Sequence, residues 1–547
     1  MSSQISYVSG ASQYPMLGET IGQNLERTVA KYPQQEALVS VEQDIRFTYS
    51  EFYQETTKVA RALLAVGVKK GDRVGIWSPN RYEWVVLQYA TARIGLILVN
   101  INPAYRTSEL AFVINQAGIS YMVSALQFKS SNYKAMIEKV KDECPTLKAT
   151  YFLDQDWDDL MEKASEVSED DMESVEHTVQ FDEPINIQYT SGTTGFPKGV
   201  TLSHHNILNN GYFIGIRLHY THNDRVCIPV PFYHCFGMVI GNLCCTAFGS
   251  CMVIPSESFD PVKTLTAVEQ ENCTSLYGVP TMFIAELNTA DFDKYNLSSL
   301  RTGVMAGSPC PIEVMKQVQT KMNMTEVTIC YGMTETSPVS VQTKIGAPLE
   351  KQVSTVGTVH DHIELKVIDP ETGHIVKRGV AGELCVRGYA VMLKYWNNPE
   401  ATDSVIDDGR WMHTGDQATM DDEGYINITG RIKDLIIRGG ENISPKEIED
   451  FLYTHSGIED VQVIGVPSEK YGEEVMAWVK PKENANLTEQ EMHSYCSDRI
   501  AHYKVPKYWK FVDSFPMTIS GKIRKVEMRK VSTKELGLEH AAKIKTS

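Results

Sequence analysis

The chain has 547 residues, so at roughly 150 residues per domain it has room for three or four folding units. Hydrophobic residues make up 42% and charged residues 22%, a globular composition that excludes a disordered or collagen-like chain. The formal net charge of −17 argues against nucleic acid as a partner, because binding to its phosphates needs a cationic surface.

The first part of the chain alternates strand-like and helical patterns. Residues 73–79 form an apolar run that stops at a proline, residues 82–93 have the spacing of an amphipathic helix, and residues 95–101 form a second apolar run. Such alternation predicts an α/β architecture with largely parallel sheets. The same order of strand, loop and helix recurs at three later runs: 276–280, 302–306 and 326–330.

Two segments between these elements need their own interpretation. Residues 154–177 hold eleven acidic residues and one lysine, which contribute −10 of the net −17, and we expect a solvated surface insertion there. Residues 235–254 contain no formal charge and could span a bilayer by length. Because prolines and glycines punctuate the region and no Lys/Arg cluster flanks it, we expect a buried helix near 237–248 and a buried strand near 250–255.

The last third of the chain changes character twice. From about 355 to 430, helices are not expected and short strands with glycine turns dominate, which predicts a small β-rich subdomain. Beyond residue 440, a helix at 445–455, a strand at 460–466, a helix at 488–501 and a basic tail predict a separate α+β unit. The predicted fold class is therefore α/β, with a large N-terminal domain of α/β sheets and this β-rich subdomain, followed by an α+β C-terminal domain.

The cysteines indicate a reducing compartment. There are eleven, with no C-x-x-C pair, and most lie in apolar runs, where a free thiol behaves as a small hydrophobe. The first residues lack a basic cluster with an apolar core, and the last three are not a peroxisomal signal. We expect a cytoplasmic protein with no transmembrane segment, or a mitochondrial-matrix protein if this is a processed eukaryotic chain.

Three common nucleotide and nucleophile motifs are absent. No two glycines are spaced two apart, so the G-x-G-x-x-G loop of a Rossmann site cannot occur. An isoleucine follows Gly521-Lys522, which fails the Walker A pattern. No G-x-S-x-G elbow exists, which removes the usual α/β-hydrolase nucleophile.

The strongest chemical signal is segment 189–199, which follows a strand-like run at 185–189. It holds four serine and threonine hydroxyls, three glycines and Lys198. Glycine lets backbone N–H groups approach an anion, the hydroxyls donate hydrogen bonds and the lysine supplies positive charge. An ordinary Ser/Thr/Gly surface loop is the alternative, but the density of donors favours phosphate binding.

With this loop the chain resembles the adenylate-forming superfamily of acyl-CoA synthetases, nonribosomal adenylation domains and luciferases. Segments 438–443 and 102–105 most resemble medium-chain (family member 2 type) and bacterial fatty-acyl-CoA synthetases. The resemblance covers about residues 20–530, and further motifs follow in the family's order at 231–234, 331–336, 411–416, 430–434 and 516–522.

The resemblance implies a role for each motif residue. The implied catalytic residues are Lys522, Glu335, Thr194 and His234, with Glu335 also a Mg²⁺ ligand. Lys433 is the implied hinge, and Gly439 and Gly440 the implied coenzyme A contacts. The implied acyl pocket consists of His234, Phe236, Met238, Ile240, Met305, Gly332, Pro338 and Val339. The residues implied to bind ATP are Thr190, Ser191, Gly192, Thr193, Thr194, Gly195, Lys198, Gly199, Gly307, Ser308, Pro309, Tyr331, Gly332, Met333, Thr334, Asp416, Arg431 and Lys522.

Taken alone, several of these residues have plainer interpretations. Tyr331 offers a flat face to adenine but could be a core tyrosine. Asp416 could accept hydrogen bonds from ribose hydroxyls, although Thr-Gly-Asp is also a plain turn, and Arg431 could be a surface charge. A histidine after aromatic residues, such as His234, is usually a packed core residue. Lys522 lies in a basic region that is typical of a solvated tail.

The resemblance also implies domains at 1–432 (adenylation) and 433–547 (mobile, carrying Lys522). The implied activity is ATP-dependent activation of a fatty acid of medium chain length. The carboxylate attacks the α-phosphorus of MgATP to give acyl-AMP and pyrophosphate. Coenzyme A thiol then attacks the acyl carbon and AMP leaves, after a rotation about Lys433 that removes Lys522 from the site.

The implied cofactor is Mg²⁺, with ATP and coenzyme A as co-substrates. The expected partners are small molecules only, without nucleic acid, in a monomer or homodimer. The alternatives are a ligase for aryl or other carboxylic acids, a luciferase, and a carrier-linked adenylating enzyme. A lysine that some aryl-CoA ligases carry is replaced here by Ile437, which weakens the aryl alternative.

Overall fold

The structure is a computed structural model. The chain forms two compact units, which we call the large unit (Val8–Leu365 and Val386–His413) and the small unit (Met1–Tyr7, Lys366–Cys385 and Thr414–Ser547). The described residues are those of the whole chain except 1–4, 191–196, 308–309, 439–440, 469, 484, 498, 501, 519–522 and 542–547. Among them, side chains are described except at 433, 441 and 442.

The helices and strands of the structure lie close to those that the sequence pattern predicts. In chain order, the described α-helices are α1 (Ile21–Lys31), α2 (Tyr49–Ala65), α3 (Tyr82–Arg93), α4 (Thr107–Ala117), α5 (Tyr133–Val140), α6 (Trp157–Glu162), α7 (Glu169–Glu176), α8 (His204–Arg217), α9 (Cys244–Phe248), α10 (Pro261–Gln270), α11 (Pro280–Leu287), α12 (Ile312–Lys321), α13 (Leu349–Ser354), α14 (Pro399–Asp403), α15 (Pro445–Leu452), α16 (Glu489–Cys496) and α17 (Lys525–Glu535). The described strands are β1 (Tyr7–Ser9), β2 (Glu36–Ser40), β3 (Ile45–Thr48), β4 (Arg73–Trp77), β5 (Ile97–Asn100), β6 (Ile119–Ser124), β7 (Gln127–Phe128), β8 (Ser131–Asn132), β9 (Ala149–Phe152), β10 (Pro184–Thr190), β11 (Lys198–Ser203), β12 (Arg225–Cys227), β13 (Cys251–Ile254), β14 (Ser275–Gly278), β15 (Thr302–Ala306), β16 (Glu326–Gly332), β17 (Val339–Gln342), β18 (Gly357–Val359), β19 (Ile363–Ile368), β20 (Gly382–Gly388), β21 (Lys394–Tyr395), β22 (Met412–Met420), β23 (Tyr425–Arg431), β24 (Ile436–Arg438), β25 (Glu441–Ile443), β26 (Ile458–Ser468), β27 (Gly472–Pro481) and β28 (Tyr508–Phe511). A π-helix covers Phe236–Leu243, and a 3₁₀ turn covers Thr334–Thr336.

Two series of hydrogen-bonded strands build the large unit. The first is a seven-stranded sheet in the order β21-β11-β10-β5-β4-β6-β9, parallel from β10 to β9 and antiparallel from β10 to β21. The second runs β18-β17-β16-β15-β14-β12-β13-β2-β3, with a parallel centre from β16 to β2. The α/β architecture with parallel sheets is therefore confirmed.

Helix α3 occupies the predicted residues 82–93, but it is not amphipathic. Every residue from Glu83 to Arg93 is buried, because the helix lies inside the large unit rather than on its surface. Arg93 is only 1% exposed and donates from Nε and Nη2 to the carboxylate of Glu176, at 2.9 Å each. A buried cation is thus paired with a carboxylate of the acidic segment.

That acidic segment, residues 154–177, is folded rather than only solvated. It forms α6 and α7, and Trp157, Leu160 and Met172 are buried. Most of its acidic side chains are exposed, as the charge pattern predicts.

The uncharged segment 235–254 is buried within the large unit, as predicted. It consists of the π-helix, α9 and β13. In the part of the chain that the structure describes, no helix is both long and apolar enough to cross a membrane.

The small unit has its own sheet and core. β26 and β27 form a long antiparallel hairpin that β24 and β28 extend, and buried residues of α15 and α16, including Ile448 and Met492, complete one core. The predicted helix at 488–501 is shorter in the structure, where α16 ends at Cys496. The β-rich segment 355–430 contains one short helix, α14, that the sequence pattern does not predict.

Candidate active site

The predicted phosphate loop connects β10 and β11, which form a hairpin. Thr190 pairs with Lys198, and Tyr189 with Gly199. Since side chains alternate along a strand, Thr190 and Lys198 share one face of the hairpin. The loop residues between them that are predicted to bind ATP lie outside the described residues: Ser191, Gly192, Thr193, Thr194 and Gly195.

Glu335 lies beside this hairpin stem. It belongs to the 3₁₀ turn after β16 and is 6% exposed. Its Oε1 accepts a hydrogen bond from the Tyr395 hydroxyl at 2.9 Å and lies 3.4 Å from Thr190 Oγ1. Its carbonyl accepts the N–H of Met392 at 2.9 Å. The predicted metal ligand is therefore held by hydrogen bonds beside the stem of the predicted phosphate loop.

Tyr395 is a site residue that the sequence motifs do not predict. It lies in β21, next to β11, and Lys198 Nζ lies 5.0 Å from the centre of its ring. Burial and then the negative charge of Glu335 raise the pKa of Tyr395 well above its ordinary value, so its hydroxyl stays protonated and donates. No motif covers Tyr395 because its role depends on a long-range contact.

Strand β16 ends at Tyr331 and Gly332, where it pairs with β17 through a local irregularity. A Cβ atom on Gly332 would lie 1.7 Å from the carbonyl oxygen of Pro338, so only glycine fits this close approach. The Asn210 amide fixes Val339 from the other side, donating to its carbonyl at 2.7 Å and accepting its N–H at 3.0 Å. Three predicted acyl-pocket residues, Gly332, Pro338 and Val339, are thus brought together.

Gly307 and Tyr331 lie at the same edge of the second strand series. β15 and β16 are parallel, with Ala306 next to Cys330. Gly307 and Tyr331, which follow these two residues, therefore lie at the carboxyl ends of the strands. Gly307 has φ +91°, a conformation that favours glycine. Ligands of open α/β sheets bind at this edge. The neighbouring Ser308 and Pro309 lie outside the described residues. Met333 and Thr334 follow closely after Tyr331, and the Met333 N–H donates to Thr336 Oγ1 at 3.1 Å.

His234 precedes the π-helix and is half-buried. Its Nδ1 accepts the N–H of Phe236 at 3.2 Å, and its carbonyl accepts the N–H groups of Gly237 and Met238. All residues of the π-helix are buried, including Phe236, Met238 and Ile240. Because π-helices are rare and occur frequently at functional sites, this element supports a role in binding.

Met305 faces away from Phe236. The Phe236 ring packs against Tyr277, with their centres 5.9 Å apart, and Tyr277 is the register partner of Val304 rather than of Met305. Met305 is fully buried in the apolar cluster that includes Phe283 and Met315. The structure does not bring Met305 together with Phe236, and its assignment to the acyl pocket stays a prediction.

Asp416 and Arg431 are partners in the small unit. They are opposite each other in the β22–β23 hairpin, and Arg431 Nε donates to Asp416 Oδ1 at 3.2 Å. The Arg431 side chain is 67% exposed and that of Asp416 12%. The residue predicted to accept hydrogen bonds from the ribose hydroxyls and the residue predicted to contact ribose or phosphate therefore share one hairpin.

The other predicted residues of the C-terminal region are not described. Lys522, Gly439 and Gly440 lie outside the described residues, as does the side chain of Lys433. Their roles stay predictions.

Two protein-family models match the chain, in the order that the sequence motifs predict. Residues 25–396 match the family model of the AMP-binding enzyme, and residues 447–522 match that of the AMP-binding enzyme C-terminal domain. The chain therefore belongs to the AMP-binding enzyme family. It is an AMP-forming acyl-CoA ligase that uses ATP and coenzyme A, as the motif order predicts.

Relatives and solved structures match over almost the whole chain. The medium-chain acyl-CoA ligase ACSF2, mitochondrial, of Danio rerio is 46% identical, over 97% of this chain and 91% of that protein. The putative acyl-CoA synthetase YngI of Bacillus subtilis is 45% identical, over 94% and 97%. The crystal structure of ATP-bound MatB from Rhodopseudomonas palustris has a TM-score of 0.84 at 28% identity, covering 95% of this chain and all (100%) of that one.

Proposed function

We propose that the carboxylic acid that this enzyme activates is a medium-chain fatty acid. The observation that carries the proposal is the identity of 46%, extending over 97% of the chain, to a relative whose name is medium-chain acyl-CoA ligase. The fully buried π-helix beside His234, which is apolar except for Asn242, supports it, since an alkyl chain needs an apolar lining.

Adenylation would take place at the stem of the β10–β11 hairpin. Thr190, Lys198 and the loop between them would hold the phosphates of ATP through hydroxyl groups, backbone N–H groups and one positive charge. A buried carboxylate with a hydroxyl beside it fits Mg²⁺, a cation that prefers oxygen ligands, so Glu335 is the proposed ligand. Mg²⁺ would offset the negative charge of the phosphates during transfer.

Further roles are proposed for residues of the C-terminal region. Asp416 would accept hydrogen bonds from the ribose hydroxyls, and Arg431 would contact ribose or phosphate. Lys522 would stabilise the charge that develops at the α-phosphate, the largest electrostatic contribution open to such a transfer. Lys433 would be the hinge between the two half-reactions, and Gly439 and Gly440 would line the path of the pantetheine chain.

The proposed pocket predicts an acid preference. Its π-helix residues are apolar, so a second charge on the substrate would be desolvated without a partner, and dicarboxylic and amino acids should be poor substrates. Each buried methylene contributes about 0.8 kcal/mol, so kcat/KM should rise roughly two hundredfold from four to eight carbons. The bulk of Phe236 and Met238 should end the rise at about eight to twelve carbons.

Measurement of kcat/KM for acids from acetate to palmitate, with ATP and coenzyme A, tests the proposal. We expect a maximum at medium length. A maximum at acetate or at an aromatic acid would refute a medium-chain substrate and favour the aryl or other acid alternative, whereas a maximum at palmitate would refute only the length. Light emission, or acyl-AMP without thioester, would instead favour a luciferase or a carrier-linked enzyme.

We also propose a reducing compartment, the cytoplasm or the mitochondrial matrix. None of the eleven cysteines forms a disulfide, and all but the half-buried Cys310 are buried, as is typical of proteins of a reducing compartment. Fractionation of cells that express the chain in its native host tests this, and recovery from a secreted fraction would contradict it. We propose that the enzyme is a monomer or a homodimer. The molecular mass of the purified chain, measured by analytical sedimentation, distinguishes the two.

A further inference from the structure

Segment 230–234 lies between β12 and the π-helix. β12 is a central strand, paired with β13 and with β14, but Pro229 and Pro231 have no N–H group with which to continue its hydrogen bonds. Val230 and Phe232 are nevertheless each only 1% exposed. Because an unpaired polar group at such depth is costly, the backbone of this segment needs partners from outside the sheet.

Asn80 supplies two of these partners. Its Nδ2 donates to the carbonyl of Val230 at 2.9 Å, and its Oδ1 accepts the N–H of Phe232 at 2.9 Å. Asn80 lies between β4 and α3 and is 5% exposed. Its own N–H donates to the carbonyl of Glu257 at 3.0 Å. One amide, itself held through its backbone, therefore fixes two backbone groups of segment 230–234.

The fixed backbone continues directly into the turn that carries His234. The His234 N–H donates to the carbonyl of Pro231 at 3.3 Å, and its carbonyl accepts the N–H of Gly237 at 3.0 Å. A Cβ atom on Gly237 would lie 2.4 Å from the carbonyl oxygen of Pro231 and 2.8 Å from Phe232 Cα, so the two stretches of backbone touch. A shift of residues 230–232 would therefore move His234 as well.

The ring of His234 is oriented by the same turn. Its Nδ1 accepts the N–H of Phe236 at 3.2 Å, so the neutral ring carries its hydrogen on Nε2. An N–H group of this kind can donate to a carboxylate oxygen, which is the group that an acid substrate presents. The direction of this donor depends on the backbone at 234 and 236, and so on the segment that Asn80 holds.

We propose that Asn80 is a positioning residue for activation of the acid, because it sets the position of His234 through the backbone of residues 230–232. The inference rests on the proposed function, since it takes His234 to lie beside the acid substrate. Asn80 itself contacts no substrate in this proposal. A displacement of about 1 Å caused far from the reacting atoms can lower a rate by about a hundredfold.

The test is acid-dependent exchange of pyrophosphate into ATP by the full-length enzyme, with the saturated acid that the wild type uses best. Asn80→Ala should lower kcat/KM for the acid by roughly tenfold to a hundredfold. The KM for ATP should stay within about twofold of the wild-type value, because the proposed phosphate contacts lie in the β10–β11 hairpin. A general loss of stability would not separate the two substrates in this way.

A double-mutant comparison tests whether Asn80 acts through His234. In a His234→Ala background, Asn80→Ala should lower kcat/KM for the acid by less than about threefold, because the group that it positions is already absent.

Asn209→Ala is the matched control. Asn209 is fully buried and pairs with both backbone groups of Leu17, its Oδ1 accepting the N–H at 2.7 Å and its Nδ2 donating to the carbonyl at 3.1 Å. This variant loses the same kind of amide contact away from His234. It should lower the melting temperature and leave kcat/KM for the acid unchanged.

Asn80→Ser decides the matter if Asn80→Ala does not fold. Its hydroxyl can pair with one of the two backbone groups, so kcat/KM for the acid should fall about two- to tenfold, as for the loss of one hydrogen bond. Wild-type kinetics in a folded Asn80 variant or in His234→Ala would overturn the inference. An equal fall in both backgrounds, or in Asn209→Ala, would overturn it too. A wild-type optimum outside medium length would refute the proposed substrate instead, and the comparison of variants would still hold.

Discussion

Replacement of Tyr395 by phenylalanine should weaken adenylation by removing one oxygen atom. The ring would remain beneath Lys198 Nζ, which lies 5.0 Å from its centre. The 2.9 Å hydrogen bond to Glu335 would be lost. Tyr395 touches neither substrate in the proposed site, so it acts as a positioning residue for the metal ligand.

The size of the effect follows from the kind of bond. A hydrogen bond to a charged group contributes about 1.5–3 kcal/mol, which corresponds to roughly tenfold to 150-fold in a rate or binding constant. Because Glu335 is 6% exposed, water cannot fully replace the lost donor. We expect kcat/KM for MgATP in pyrophosphate exchange to fall by this factor, and the Mg²⁺ concentration that gives half-maximal rate to rise.

The dependence on Mg²⁺ separates positioning from a loss of stability. Tyr189→Phe is the matched control, since Tyr189 is a half-buried tyrosine of the same seven-stranded sheet, in β10, whose hydroxyl donates to Gln116 rather than to Glu335. This control should leave the Mg²⁺ midpoint unchanged. If Tyr395→Phe folds normally and its Mg²⁺ midpoint equals that of the wild type, the proposed role of Glu335 and Tyr395 is wrong.

Three further predictions concern two lysines of the C-terminal region and a buried acid. Lys522→Ala should reduce the rate of adenylation by roughly 10²–10³, while thioester formation from presynthesised acyl-AMP survives. Lys433→Pro should permit adenylation but block thioester formation, because proline fixes φ at a position that has to change conformation between the half-reactions. Equal loss of both half-reactions in either variant would contradict the proposal that the two half-reactions use different domain orientations. Glu286 is fully buried, and burial raises its pKa well above 4.5, so the folded carboxyl keeps a proton that the unfolded chain releases above pH 4.5. As the pH rises from 5, the free energy of unfolding of the wild type should therefore fall relative to that of Glu286→Gln, by up to about 1.4 kcal/mol per pH unit. The measurement is the melting temperature of both proteins from pH 5 to 8. A constant difference between the two melting temperatures over this range would disprove the prediction.

Local pattern predicts much of the fold. The strands on either side of the helix at 82–93 follow from their apolar runs and from the prolines that end them, and the bounds of the helix are as predicted. The amphipathic pattern predicted for that helix is wrong, because the helix is buried on all sides. The pattern of segment 235–254 predicts a buried helix and strand but not the π-helical start, because an i→i+5 bonding pattern has no simple sequence periodicity. Gly237 belongs to this start, and a Cβ there would lie 2.4 Å from the carbonyl of Pro231.

The features that sequence patterns do not predict depend on distant partners. The acidic segment is folded because Arg93, 83 residues earlier, is buried against Glu176. Helical periodicity treats Arg93 as a surface residue, since an unpaired arginine is almost never buried. The direction of Met305 likewise depends on strand register, which is set by pairing with β14 and not by the local run of residues.

The Glu335–Tyr395 contact shows why motif order locates the site without completing it. Glu335 follows β16 of the second strand series, whereas Thr190 and Tyr395 belong to the seven-stranded sheet. Tyr395 and Thr190 both contact Glu335 Oε1, which joins the two series beside the stem of the predicted phosphate loop. Each motif supplies one part of the proposed site through its own short segment, but Glu335 is also held by Tyr395, a residue that no motif contains. We therefore expect this buried, charge-assisted bond to orient Glu335, the proposed metal ligand, beside the stem of the predicted phosphate loop. A variant at Tyr395 should then disturb adenylation although every motif is intact.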